Sequence, residues 1–524
     1  PPSPSRYDDR VQQPFRTKER SFMVPEPIQA RMLVHPVTAH WVDPRLFGSF
    51  VEHLGRVVYS GIYEPDHPSA DVDGFRTDVM ELVRQLGISV IRYPGGNFVS
   101  GYRWEDGIGP IADRPRRLDL AWHALEPNLV GINEFSKWAG KVGSQVMAVV
   151  NLGTRGVDAA RNLVEYANHA GNTYWSELRK HHGVLEPHQI GLWGLGNEMD
   201  GPWQIGHKSA AEYGTLAREA GRAMKAVDPT IELVVSGSSG PNMTTFPEWD
   251  ATVLDLAYDT ADYLALHVYY GNPEQDTLNF LAKSMDLDRY IESAVATADF
   301  VQAKRRSKKR INLSLDEWNV WFHSHGEPSP TEWEVGKPRL EDIYTLEDAL
   351  LVGSLLLSLL RHGDRVKIAC LAQLVNAIAP IMTGSSGPAW RQTIYFPFEQ
   401  VSHFGRGEVL FSETTSPTYA SRQFDTVPYL DAVAVRDRQS GMLTLFAVNR
   451  CPDQAMALSL DLAGLTPLSS IEHWITTGDR ADVSNSPGSE PIRPVKSAPI
   501  ALNGTQATIR LPALSWNVLQ MRVQ

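Results

Sequence analysis

Residues 193–203 read Trp193-Gly194-Leu195-Gly196-Asn197-Glu198-Met199-Asp200-Gly201-Pro202-Trp203, a short apolar run that closes on an amide and an acid before a glycine- and proline-marked turn. A run of this length bounded by turn residues reads as a buried strand with Asn197 and Glu198 at its carboxyl end. A second stretch repeats the pattern: Ile311-Asn312-Leu313-Ser314-Leu315-Asp316-Glu317-Trp318-Asn319-Val320-Trp321. Working outward, strand candidates fall near 46–52, 88–93, 145–151, 190–197, 231–236, 262–268, 311–316 and 367–373, with amphipathic helical stretches between them at 75–86, 132–142, 157–170, 209–227 and 342–362. Alternating strands and helices imply either a (β/α)8 barrel or an open doubly wound sheet. The positions of the polar residues decide. Glu52, Arg92, Asn97, Asn151, Asn197, Glu198, His267, Tyr269, Glu317, Gln373 and Asn376 all fall at or just past the carboxyl end of a strand candidate. A barrel gathers side chains on that one face from many strands, whereas an open sheet concentrates them at one switch point. The expected fold is therefore α/β, a (β/α)8 TIM barrel, with Glu198 after its fourth strand and Glu317 after its seventh, diametrically placed across the mouth.

After about residue 405 the texture changes. Alternating runs at 441–449, 456–462, 470–475, 506–511 and 516–523 are separated by Gly, Pro, Asn and Asp clusters, which predicts a C-terminal antiparallel β-sandwich. The segment 28–38 also alternates and is expected to add a strand to it. The domain reading is residues 1–22 as a disordered leader or cloning remnant, 23–40 as strand joining the sandwich, 41–404 as the catalytic barrel and 405–524 as the sandwich, with Met23 a plausible native start. The apolar run 349–360 is too short to span a bilayer, which takes about 20 residues, and reads as a buried helix.

Composition excludes several classes. A net charge of −12 over 524 residues argues against nucleic acid and anionic membrane as partners. The one basic run, 304–310, sits where a helix ends before a strand and complements that helix's dipole. Two cysteines, Cys370 and Cys451, lie in apolar strand-like segments and read as buried free thiols in a reducing, cytoplasmic compartment. The sequons at Asn242, Asn312 and Asn503 read as chance, Asn312 falling within a core strand. Pro94-Gly95-Gly96 lacks the lysine and hydroxyl of a phosphate loop, so it reads as a tight turn placing Asn97. The scattered histidines show no zinc-like spacing, and no metal or cofactor is expected.

Two acids converging in an aromatic, hydrogen-bonding pocket are what glycosidic bond cleavage needs, one to protonate the leaving oxygen and one to attack or to activate water. A partly desolvated acid has its pKa raised and holds a proton near neutral pH, which suits Glu198. Asn197 is placed to donate to a sugar 2-hydroxyl, and Tyr269 to donate to Glu317. Fourteen Trp and 17 Tyr supply faces on which sugar rings stack.

The blocks Phe47-Gly48-Ser49-Phe50-Val51-Glu52-His53-Leu54-Gly55-Arg56, Arg92-Tyr93-Pro94-Gly95-Gly96-Asn97-Phe98-Val99-Ser100-Gly101, Gly196-Asn197-Glu198-Met199-Asp200-Gly201-Pro202-Trp203-Gln204 and Asp316-Glu317-Trp318 occur in this order. With them the chain resembles family 51 glycoside hydrolases, the α-L-arabinofuranosidases of clan A, over nearly everything after residue 40. The resemblance implies an exo-acting, retaining double displacement with Glu198 as acid/base and Glu317 as nucleophile, on arabinose-containing oligosaccharides from arabinoxylan or arabinan. It implies that Glu52, Arg92, Asn97, Asn197, Tyr269 and Gln373 line the arabinose pocket, that His267 supports the carboxylates, and that Trp122 and Trp321 bracket the mouth. It also implies a homo-oligomer, often a hexamer in this family. Val268 departs from relatives, which often carry a polar residue there; its side chain is expected to point away from the site. The competing readings are an endo-β-glucanase or β-xylosidase on the same barrel, and a carbohydrate-binding protein with a dead barrel. Retention of both glutamates with their Asn and Trp neighbours counts against the last.

Overall fold

The computed structural model describes residues 26–328, 331–384 and 387–524; the expectations for residues 1–22 and for Met23 lie outside this range. In chain order the strands that matter are β1 (Ile28–Trp41), β2 (Gly48–Phe50), β3 (Val90–Tyr93), β4 (Arg117–Asp119), β5 (Ala124–Glu126), β6 (Gln145–Val150), β7 (Leu192–Leu195), β8 (Glu232–Val235), β9 (Tyr263–Tyr270), β10 (Asn312–Val320) and β11 (Val366–Leu371). Eight of them close a barrel in the order β10-β11-β2-β3-β6-β7-β8-β9, every neighbouring pair parallel. These eight are the strands expected from sequence. The order corrects one expectation: β7 and β10 are separated by β8 and β9 only, so Glu198 and Glu317 sit one strand position, an eighth of a turn, closer than diametric opposition.

Inside the barrel, Phe50, Val90, Met147, Leu192, Val234, Tyr263, Ile368 and Cys370 form a compact plug. Gly48 lets β2 close the ring, because a Cβ there would lie 2.6 Å from the Ala369 carbonyl oxygen and 2.7 Å from Val90. Outside, helices begin and end where local chemistry dictates. Helix Ala210–Val227 starts on a Ser209/Glu212 capping box, and Thr77–Leu86 stops at Gly87 with φ 71°. The apolar run forms helix Leu346–Arg361, which starts four residues later than expected because Thr345 and Asp348 make its capping box. It is buried between barrel and C-terminal sheet. No helix among the described residues is long and apolar enough to cross a membrane. The basic run ends helix Lys283–Arg305, where Lys304 pairs with Asp255, Arg305 with Asp259 and Lys309 with Asp262.

The C-terminal region is one continuous nine-stranded sheet folded over on itself, so the two layers of the expected sandwich share a hydrogen-bonded ladder. β1 belongs to it, antiparallel to Glu408–Thr415 and parallel to Met456–Asp461, the latter an exception to the antiparallel pattern. Strands Leu430–Asp437, Met442–Asn449 and Ser515–Arg522 are buried on both faces. Val433, Val435, Phe446, Val448, Trp516 and Val518 pack into the barrel's outer core, while Ala434, Leu443, Leu445, Leu519 and Met521 face the sheet's own core with Met32, Val34, Leu458 and Ile509. Cys370 and Cys451 are buried free thiols.

Candidate active site

The carboxyl ends of the barrel strands bring the expected residues together. β7 stops at Leu195, and the chain turns through Gly196 at φ 82° to Glu198, itself held at φ 45°. That left-handed backbone is costly for a residue with a Cβ. It aims the carboxylate inward, where Oε1 meets His267 Nδ1 at 3.0 Å and Oε2 accepts the Trp203 indole N–H at 2.7 Å. On β9, His267 and Tyr269 are two apart and share the inner face, while Val268 between them packs in the outer core, away from the site. Tyr269 OH donates to Glu317 Oε1 at 2.8 Å and Arg92 Nη1 to Glu317 Oε2 at 2.8 Å.

Adjacent strand residues normally face opposite ways. β10 carries an irregularity between Ser314 and Glu317 in its pairing with β9, and there both Asp316 and Glu317 turn inward. Asp316 lies 3.3 Å from Arg92 Nε and 3.5 Å from His267 Nε2. Arg92 also donates to Asn197 Oδ1 and lies over the Phe50 ring at 4.5 Å. Asn197 Nδ2 in turn reaches Asn97 Oδ1 at 3.4 Å. Glu52, just past β2, accepts from Phe98 N at 2.9 Å, Trp122 Nε1 at 2.9 Å and Gln373 Nε2 at 3.1 Å. Trp122 sits in the turn between β4 and β5, and Trp321, just past β10, packs edge-on against Tyr269 with centroids 5.5 Å apart. All eleven expected residues thus share one face. Asp316 and Trp203 join them, though neither was singled out as a site residue; the signal available for Trp203 was its place five residues after Glu198.

The electrostatics follow from burial of several acids around two cations. Burial raises the Glu198 pKa, reinforced by the charge of Glu317 and opposed by the His267 hydrogen bond. Burial and then the Glu317 charge push Glu52 up to about 8. Burial alone would lower His267, but Glu317, Asp316 and Glu198 together push it up to about 10. Burial likewise opposes the Arg92 cation, and Asp316 and Glu317 outweigh it, leaving the pKa raised. Burial thus favours the neutral acid form of Glu198, Glu52 carries a proton at neutral pH, and the cations of Arg92 and His267 face the side chains of Asp316 and Glu317. One oxygen of Glu198, one of Glu317 and a His267 ring nitrogen lie within 4.8 Å of one another, a spacing a metal ion could use. A His267 ring that is itself a cation is a poor ligand.

Two inward acids at this separation on a barrel's carboxyl face define the class: a glycoside hydrolase. Comparison with known proteins narrows it. Residues 82–291 match the model of the alpha-L-arabinofuranosidase 1 domain, and residues 316–515 that of the alpha-L-arabinofuranosidase C-terminal domain. The chain is 55% identical to an intracellular exo-alpha-(1->5)-L-arabinofuranosidase of Halalkalibacterium halodurans, over 92% of this chain and 96% of the relative. It is 54% identical to one of Bacillus subtilis, over 92% and 97%. A solved family 51 alpha-L-arabinofuranosidase from Bifidobacterium longum superposes with a TM-score of 0.91 at 43% identity, covering 95% of this chain and all of that one. The chain belongs to family 51 of the glycoside hydrolases, the α-L-arabinofuranosidases.

Proposed function

We propose that the protein is an intracellular, exo-acting, retaining α-L-arabinofuranosidase that removes terminal L-arabinofuranose from arabinose-containing oligosaccharides, α-(1→5)-linked ones foremost. The separation of the two acids carries the mechanism. Retaining enzymes place their carboxyl groups about 5–5.5 Å apart and inverting ones roughly 6.5–9.5 Å apart; one oxygen of Glu198 lies within 4.8 Å of one of Glu317, which favours the closer arrangement. In the first step a Glu317 oxygen attacks the anomeric carbon while Glu198 gives its proton to the glycosidic oxygen, and the leaving sugar departs as a neutral alcohol. In the second, Glu198, now a carboxylate, takes a proton from water as that water attacks the same carbon and frees Glu317. Arg92 and Tyr269 stabilise Glu317 as a carboxylate on arrival and on release. Glu52, Asn97, Asn197 and Gln373 hold the furanose hydroxyls, Trp122 and Trp321 bracket the mouth, and Trp203 lies beside the acid on the leaving-group side.

Four relatives above 50% identity named intracellular exo-alpha-(1->5)-L-arabinofuranosidases support the linkage and the compartment, as do two buried free thiols. One at 50% is named an exo-alpha-(1->6) enzyme. The test is an NMR time course on α-(1→5)-arabinotriose beside aryl α-L-arabinofuranoside and aryl β-xyloside. First-formed arabinose should keep the substrate's anomeric configuration, and the xyloside should stay intact. Inverted arabinose overturns the mechanism, and turnover of the xyloside alone overturns the substrate.

A further inference from the structure

Trp122 reaches the arabinose pocket from a hairpin too small to hold itself. β4 and β5 have three residues each and form a two-stranded sheet of their own, and such a hairpin is marginal in water. At its tip His123 has φ 53°, a left-handed backbone that persists only where neighbours enforce it. The segment that follows Trp321 supplies the enforcement. The Trp333 indole stacks on the His123 ring with centroids 3.8 Å apart and planes at 24°, and the Glu334 carbonyl accepts the Leu125 N–H at 3.0 Å. The root of the hairpin is tied separately, Glu126 by Tyr59 and His53, and Arg117 by Asp106.

What the tip delivers is one hydrogen bond. Trp122 Nε1 and Phe98 N both donate to Glu52 Oε1, each at 2.9 Å. Two donors favour the carbonyl form of that oxygen, so the proton that Glu52 carries resides on Oε2. Oε2 lies on the Glu317 side of the pocket: a Cβ built at Gly96 would sit 3.4 Å from it and 3.3 Å from Glu317 Oε2. Glu52 thereby turns a donor toward the place where the furanose binds. Withdrawing the Trp122 indole removes one of the two donors and frees the proton to move to Oε1, away from the sugar.

We propose that Trp333 is a positioning residue: by clamping His123 it holds the Trp122 indole on Glu52, and so fixes the oxygen from which Glu52 donates to the sugar. It rests on the reading in which Glu52 binds the furanose. Trp333 is 37% exposed, so its replacement empties no core. In Trp333→Ala, kcat/KM on an aryl α-L-arabinofuranoside should fall about fivefold or more, whereas Trp333→Phe, which keeps a ring on His123, should stay within about twofold of wild type. Trp122→Phe, which deletes the indole N–H, should fall at least as far as Trp333→Ala. The double variant, Trp333→Ala with Trp122→Phe, should match Trp122→Phe within about twofold, because one residue acts through the other. Losses that multiply in the double variant overturn the clamp, as does wild-type activity in Trp333→Ala beside an impaired Trp122→Phe. Wild-type activity in Trp122→Phe overturns the Glu52 reading, and the proposal with it. A crystal structure of Trp333→Ala gives a reading independent of rates: Trp122 Nε1 beyond hydrogen-bond reach of Glu52 supports the clamp, and an indole still in place refutes it.

Discussion

His267 ties the two acids into one electrostatic unit, and its removal has a calculable sign. Its hydrogen bond and charge both lower the Glu198 pKa against the raising effects of burial and Glu317. In His267→Gln the Glu198 pKa should therefore rise further, its acid form should survive to higher pH, and the alkaline limb of kcat/KM should move up. A pH–rate profile on an aryl arabinofuranoside checks this, and a limb that stays or moves down refutes it. Glu317→Ala should lose on the order of 10⁴-fold in kcat with the fold intact, because no covalent intermediate can form. Azide should restore part of the rate and yield the inverted arabinosyl azide; a variant that turns over freely without azide would remove Glu317 from the nucleophile's role. Glu198 and Glu317 were legible in sequence because polar residues that close apolar runs have few reasons to be there. Asp316 was not. Period-two alternation sends it outward, and only the irregularity in β10 brings it to Arg92.

At the level of elements, the barrel was readable because each strand is an apolar run between turn residues and each helix repeats its own period. The β4–β5 hairpin was not, since strands of three residues carry no period at all, although Trp122 at its tip was placed at the mouth. Strand Leu430–Asp437 escaped notice for a related reason: buried on both faces, it lacks the polar alternation that marks a half-exposed strand. Gly48 shows how tightly the elements close. In Gly48→Ala the new methyl must displace the β11 backbone or Val90, and overpacking of this kind costs about 1–3 kcal/mol. Urea unfolding should show the midpoint falling with an unchanged slope. Wild-type stability in this variant would mean that the barrel wall yields more than close packing allows.

Across the whole molecule, barrel and sheet are joined by a shared core rather than a linker. Trp516 illustrates the joint: its ring presses on the helix Leu346–Arg361 so closely that a Cβ at Gly353 would lie 2.7 Å from it, and its indole N–H donates to Gln400 at 2.8 Å. Trp516→Ala should cost about 3–5 kcal/mol and lower the melting temperature of both parts together. Separate transitions for barrel and sheet would show that they fold independently. The sheet's first strand comes from the opposite end of the described chain. β1 emerges from the ribosome before any barrel strand, yet both of its partners, Glu408–Thr415 and Met456–Asp461, come after all of them. Throughout synthesis of the barrel its Met32 and Val34 have no core to enter, and its edge is open to any other nascent chain. The molecule is thus buckled shut at the last moment by the earliest of its described strands, and until that closure the open edge of β1 is exposed to mispairing.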